Sequence, residues 1–429
     1  MNALAYVPAL LKVSMAFGLI LAVHRLKLHL GLGLFIGAAV LGLLMGLSPW
    51  AVLTGMAKSL FLDPMVYALL VIIALILVLS RLMSETGQLD RLVSSFAGVT
   101  GNVRIVAAVM PALIGILPMP GGALFSAPMV GAASREADLS SDHLTAINYW
   151  FRHIWEYWWP LYPGVILAVS LLALPTWRFI LVQAPLSLLA VGVGYFFLLR
   201  PIDRRPGRGP VSAGEDPPWT EFLKQVFPLI LVVLTIPVVA GLEWVTGWSL
   251  PGLSSVFIGL GLALIWVIGQ NRIPARQISL AVRNPALPQM LLLILGIMAF
   301  KGLLVESKAV AQIHEEMARY GIPPILVVLF IPFISGFITG IAIGFVGASF
   351  PLIVPLLAGQ GHGLDFQSMA MLGYAAGFMG MMLSPVHLCL LVTQDYFGAN
   401  LWSTYRRLVR TAASFLVLTA VYFLLLRLL

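Results

Sequence analysis

Ten apolar windows, each long enough to cross a lipid bilayer, constrain this chain more than any other feature. They fall at 3–23, 29–47, 64–83, 145–173, 177–199, 226–246, 252–269, 287–304, 367–392 and 409–427. A transmembrane helix needs roughly 17–25 such residues. Hydrocarbon offers no water to backbone N–H and C=O groups, so a spanning segment must satisfy them internally, as a helix does. The expected fold is an all-α polytopic membrane protein of about ten transmembrane helices. The composition agrees: 60% of the 429 residues are hydrophobic and 10% are charged, where soluble domains carry about 25% charged residues. Ala3–Val23 reads as a first span, not a cleaved leader, because it is long and has no clear small-residue cleavage site.

Two further apolar stretches, 103–133 and 323–358, are interrupted from within. The first carries Pro118-Met119-Pro120-Gly121-Gly122 and the second Thr339-Gly340-Ile341 with glycine again at 344 and 347. Proline removes a donor and clashes with the preceding turn, and glycine weakens a helix, so neither stretch continues as one helix. Broken backbone at membrane depth is tolerated only inside protein or beside a water-filled cavity. Each stretch is therefore expected to be a re-entrant hairpin whose tip is open to a ligand. The windows at 145–173 and 367–392 also break, at Pro160 and Pro385. Two hairpins and two broken helices thus offer four discontinuities that can converge on one site.

These features recur in order. Phe35-Ile36-Gly37 is matched by Phe257-Ile258-Gly259, Pro111 by Pro332, Gly115 by Gly336, and Ser126-Ala127-Pro128 by Ser349-Phe350-Pro351. Tyr149 is matched by Tyr374, Pro160 by Pro385, and Tyr195–Arg200 by Tyr422–Arg427. Residues 1–199 and 226–429 read as two copies of five crossings and one hairpin, joined by the polar, proline-rich linker 200–225. An odd number of crossings turns the second copy upside down. Inverted repeats with broken helices near the midplane are a secondary-transporter architecture. Basic residues collect in alternate loops (Arg25 and Lys27; Arg81, Arg91 and Arg104; Arg200–Arg208; Arg272–Arg283; Arg406–Arg410), while Lys58, Arg178, Lys308, Arg319 and Arg427 remain on the other side. The positive-inside rule then places both termini outside a prokaryotic inner membrane. It also accounts for the net charge of +8 without nucleic acid.

The residues able to carry chemistry cluster at the breaks. Bare amides at Gly121, Gly122 and Gly340, with the hydroxyls of Ser126, Thr339 and Ser349, favour an anion through the helix dipole. Close helix packing by small residues is the plain alternative. Asn148, Arg152 and Glu156 are spaced four apart, which places them on one face of a continuous helix. Arg152 can clamp a carboxylate with its bidentate fork, and Glu156, with His153, can carry a coupling proton. An Arg152–Glu156 pair that only fixes the helix is the structural alternative. His387 is a lesser substrate-binding or titrating candidate. Trp150, Trp155, Trp158 and Trp159 read as an interfacial belt or as a pocket wall. One cysteine, Cys389, excludes an internal disulfide and a cysteine-based metal cluster. No phosphate loop, zinc motif or nucleophile triad is present, so no enzyme, cofactor or resident metal is expected.

The paired pattern of five spans, hairpin and broken helix resembles the ion transporter superfamily, which includes citrate, dicarboxylate, gluconate and arsenite carriers. Pro118–Pro128 is most similar to an uncharacterised prokaryotic integral-membrane family assigned to that group. The resemblance implies a homodimer with a scaffold part and a moving part, working by an elevator-type motion. Sodium-coupled dicarboxylate members carry Ser-Asn-Thr at their tips, where this chain has Gly-Gly-Ala and Thr-Gly-Ile. The expected function is secondary transport of a small organic anion coupled to H⁺, with Na⁺ coupling and a passive anion channel as alternatives.

Overall fold

The structure, a computed structural model, describes residues 7–97, 103–119, 122–134, 139–202, 218–357 and 364–428. Among them it is all-helical, with no strand. The first half runs α1 (Ala9–Arg25), α2 (Leu30–Leu44), α3 (Pro49–Phe61), α4 (Pro64–Glu85), α5 (Gln88–Ala97), α6 (Val103–Ile114), α7 (Ala123–Ala133), α8 (Ser141–Arg152), α9 (Pro163–Leu172) and α10 (Thr176–Gly194). The second runs α11 (Pro218–Thr246), α12 (Ser254–Asn271), α13 (Ala275–Val282), α14 (Ala286–Glu306), α15 (Ala309–Tyr320), α16 (Pro324–Thr339), α17 (Ala342–Leu357), α18 (Leu364–Met382), α19 (Leu388–Phe397) and α20 (Leu401–Leu428).

Proline sets many of these starts. Pro49, Pro64, Pro163 and Pro324 open their helices, where the missing N–H costs nothing and the fixed φ suits the first turn. Ser48 and Asp63 cap two of them, accepting from the backbone N–H of Ala51 and Met65. The α16–α17 tip turns on Gly340, whose φ of +64° a side chain would strain.

Six helices among the described residues are long and apolar enough to cross a membrane. They lie in α4, α10 with its π-helical continuation Tyr195–Leu199, α11, α12, α14 and α20, so the chain has the character of a membrane protein. Six of the ten expected windows map onto these helices. The windows at 145–173 and 367–392 divide into α8/α9 and α18/α19, as their prolines anticipate. Those at 3–23 and 29–47 give helices of 17 and 15 residues. The interrupted stretches 103–133 and 323–358 become the pairs α6/α7 and α16/α17, close to the expected ends.

The halves pack by exchange. α2 lies on α14 while α12 lies on α4; α3 meets α14 while α13 meets α4; α5 meets α11 while α15 meets α1. Likewise α7 packs on α19 and α17 on α9, and α8 on α20 and α18 on α10. The interior is densest where the broken helices meet. Tyr149, Tyr157, Tyr374, Phe345, Phe350 and Phe378 are all buried there, and Tyr157 lies between Phe378 and Phe415 with ring centroids 4.4 and 5.2 Å apart.

Candidate functional site

Each hairpin packs against the broken helix that follows it through a glycine. Gly115 presses on the carbonyl of Arg152, and Gly336 on the carbonyl of Gly377; a Cβ at either would collide with that backbone. Each broken helix is then tied to the other. The Tyr149 hydroxyl donates to the carbonyl of Met382, at the end of α18, over 3.0 Å. The Tyr374 hydroxyl donates to the carbonyl of Glu156, just past the end of α8, over 2.8 Å. Carbonyls released by the breaks would otherwise be orphaned in a dry interior at a cost of about 1–3 kcal/mol each.

α8 ends at Arg152, and the chain turns through 153–162 before Pro163 restarts it. The expected face of Asn148, Arg152 and Glu156 is therefore not formed, because helical periodicity stops before Glu156. No ion pair joins Arg152 to Glu156 among the described residues. Glu156 instead approaches Nε2 of His153 at 3.7 Å and lies near the Tyr162 hydroxyl, which donates to the Gly115 carbonyl. Arg152 is 3% exposed. Its Nη2 donates to the Met119 carbonyl at 3.1 Å, in the turn between α6 and α7. The guanidinium plane lies over Gly122: a Cβ there would stand 2.5 Å from Nη2. Among the described residues Nε and Nη1 have no nitrogen or oxygen partner, and the Cys389 sulfur lies against the guanidinium. A buried cation with two unanswered donors is costly unless something anionic meets it.

Asn148 links the first hairpin to α19, donating to the Ala123 carbonyl at 3.4 Å and to Thr393 Oγ1 at 3.0 Å. His387 precedes α19 and faces His153, with their Nε2 atoms 3.1 Å apart. Cys389, in the first turn of α19, completes a group with them whose potential ligand atoms all lie within 4.8 Å of one another. The Cys389 sulfur also lies against Arg152. The single cysteine gave no reason to look for such a group, since His153 and His387 stand 234 residues apart. The short His387-Leu388-Cys389 motif was its one legible sign.

The structure thus gathers Gly122, Arg152, His153, Glu156 and His387, with Gly340 against the His387 amide. Gly121 lies outside the described residues. The hydroxyls are committed elsewhere. Ser126 donates to Ala123, Thr339 to Ser335 and Ser349 to Phe345, each within its own helix. Ser349 also lies about two turns into α17, away from the tip. Of the four tryptophans, Trp155 and Trp158 are half-buried. Trp150 and Trp159 are buried, and Trp150 and Trp155 donate to the carbonyls of Ala190 and Ala112. The gap lined by Trp150, His153, Tyr157, Phe378 and Met382 has no room for a water molecule. A separate cavity of about 970 Å³ lies among α4, α9, α10, α11 and α12, lined by Asp63, Tyr67, Trp177 and Glu243, and none of the gathered residues borders it.

A family model described as a protein of unknown function (DUF401) matches residues 9–426. No curated protein matches the chain.

Proposed function

We propose that this chain, which belongs to the DUF401 family of unknown function, is a secondary active transporter of a small organic anion coupled to H⁺. The observation that carries the proposal is Arg152: buried, packed on Gly122 at a hairpin turn, with no oxygen or nitrogen acceptor for Nε and Nη1 among the described residues. A planar guanidinium with free N–H groups matches a carboxylate or similar oxyanion in two-point geometry.

The architecture proposed around it is two inverted repeats, each with five crossings and one re-entrant hairpin. The helix-for-helix exchange of contacts between the halves supports this reading, as does the reciprocal bonding of Tyr149 and Tyr374. Membership of the ion transporter superfamily, a homodimer and an elevator-type motion belong to the same proposal. So do placement in a prokaryotic inner membrane and both termini outside. The gap beside His153, too small for water, is compatible with a closed state of an alternating-access carrier.

Glu156 supplies the coupling group. It stands 3.7 Å from His153 Nε2 and makes no ion pair with Arg152 among the described residues, although it lies within the field of that cation. The test is uptake into proteoliposomes, preceded by a thermal-shift screen of the purified protein against organic anions with and without Na⁺. A pH gradient should drive accumulation at constant Na⁺, and Glu156→Gln should abolish it while anion binding persists. Accumulation that follows Na⁺ at constant pH would reassign the coupling ion. Flux without accumulation would make the protein a channel.

A further inference from the structure

We infer that His153, His387 and Cys389 form a binding site for a thiophilic divalent metal ion, with Zn²⁺ as the fitting probe. The two Nε2 atoms are 3.1 Å apart and all three ligand atoms lie within 4.8 Å of one another. A tetrahedral zinc centre, with bonds of about 2.0–2.3 Å, has ligand–ligand edges of roughly 3.3–3.8 Å. The group therefore needs only small adjustments to hold an ion.

The protonation pattern favours this. Nδ1 of His153 lies 2.6 Å from the carbonyl of Tyr149. A carbonyl can only accept, so Nδ1 carries the hydrogen and Nε2 presents its lone pair to His387. Orientation of one ring nitrogen by a carbonyl, leaving the other to ligate, is the usual support of a metal-bound histidine. Glu156, 3.7 Å from His153 Nε2, stands outside the three-ligand group and leaves a fourth position for water. The Cys389 thiolate would offset part of a divalent charge and leave the Arg152 cation for an anion. The competing account is a simple hydrogen bond from His387 Nε2 to His153 Nε2, with Cys389 a bystander.

The site spans both halves: His153 follows α8, whereas His387 and Cys389 belong to the break before α19 and its first turn. A bound ion would fasten the two breaks together. This inference does not depend on the anion reading, because its readouts are a thiol and a metal and not transport.

Cys389 is the chain's only cysteine, so maleimide labelling of the purified full-length protein reports on it alone. After chelator treatment, titration with Zn²⁺ should load one ion per chain and slow labelling at least tenfold. His153→Gln and His387→Gln should each weaken Zn²⁺ binding by more than the ~10–100-fold that loss of a supporting group costs. His314→Gln, at an exposed histidine on α15, should change nothing. Labelling unaffected by Zn²⁺, or protection that survives both histidine substitutions, would overturn the assignment. Should those variants fail to fold, or the thiol resist labelling, Co²⁺ loading of the unaltered protein decides. A sulfur-to-metal charge-transfer band that is missing in Cys389→Ser supports the site; no such band in the unaltered protein refutes it.

Discussion

Arg152 carries a charge into the interior and leaves two donors unspent there, and the cost of that arrangement has to be met when a ligand binds. Arg152→Lys keeps the charge but loses the planar fork, because an ammonium is a point donor on a flexible stem. Charged hydrogen bonds are worth about 1.5–3 kcal/mol, so anion affinity should fall roughly 10–100-fold, read as a lost ligand-induced thermal shift. An unchanged shift would mean that the anion binds elsewhere. The tyrosines make a paired prediction. Tyr149→Phe and Tyr374→Phe each leave a buried carbonyl, of Met382 or Glu156, without its donor. Each should cost about 1–3 kcal/mol and lower the unfolding midpoint in detergent by a similar amount. Widely unequal losses would count against equivalent roles. Arg152 and Gly122 were legible in the sequence because a charge or a bare amide is conspicuous in an apolar run. The shared face of Asn148, Arg152 and Glu156 did not form, because four-residue spacing has meaning only while a helix continues, and α8 stops at Arg152.

Among elements, the hairpins owe their fit to close approach at one glycine each. Gly115→Ala and Gly336→Ala would drive a methyl into the backbone of Arg152 or Gly377, and overpacking of that kind costs about 1–3 kcal/mol. Gly192→Ala in α10 meets nothing within 4 Å and should be neutral or stabilising, since alanine outranks glycine in a helix. Thermal unfolding of the three variants compares them directly, and equal behaviour would remove the hairpin packing from the account. The start of α8 is fastened to α20 by Arg407 Nε to Asp142 Oδ2 at 2.7 Å. Burial pushes the Asp142 carboxyl up, but hydrogen bonds from Arg407 and Ser140 and the Arg407 charge hold it below its ordinary 3.8. A carboxyl lowered on folding adds stability above its unfolded value and loses it as pH falls through the folded one. The contact should therefore fade below about pH 4, for at most ~1 kcal/mol in so open a pair. The unfolding midpoint should drop further between pH 5 and pH 3 in the unaltered protein than in Arg407→Gln. The hairpin ends were readable because proline and glycine punctuate them. The short helices α3, α5, α13 and α15 were not, because a search for bilayer-length apolar windows passes over helices of 8–13 residues.

For the whole molecule, the exchange of contacts between the halves leads to a claim about sidedness. If α4 and α14 are equivalent, and each packs on the other half's short helix, α13 and α3 respectively, then a two-fold axis relates the halves. An axis lying in the membrane plane sends α3 and α13 to opposite faces; an axis along the membrane normal keeps them on one face. The proposed five crossings per half and the distribution of arginines in the sequence both predict the first case. Cys389→Ser removes the only native thiol, leaving a background in which single cysteines can be placed at the exposed positions Lys58 on α3 and Gln277 on α13. Lys58→Cys should react with a membrane-impermeant maleimide in intact cells. Gln277→Cys should react only after permeabilisation, if the basic loop Arg272–Arg283 lies on the inner side as the positive-inside rule predicts. The pair matters more than either site alone: reversed labelling would keep the inversion and flip the orientation, whereas labelling of both from one side would make the repeats parallel. Parallel repeats would bring both hairpins in from the same face, and then Gly122 and Gly340 could not close on Arg152 and His387 from opposite sides of the membrane.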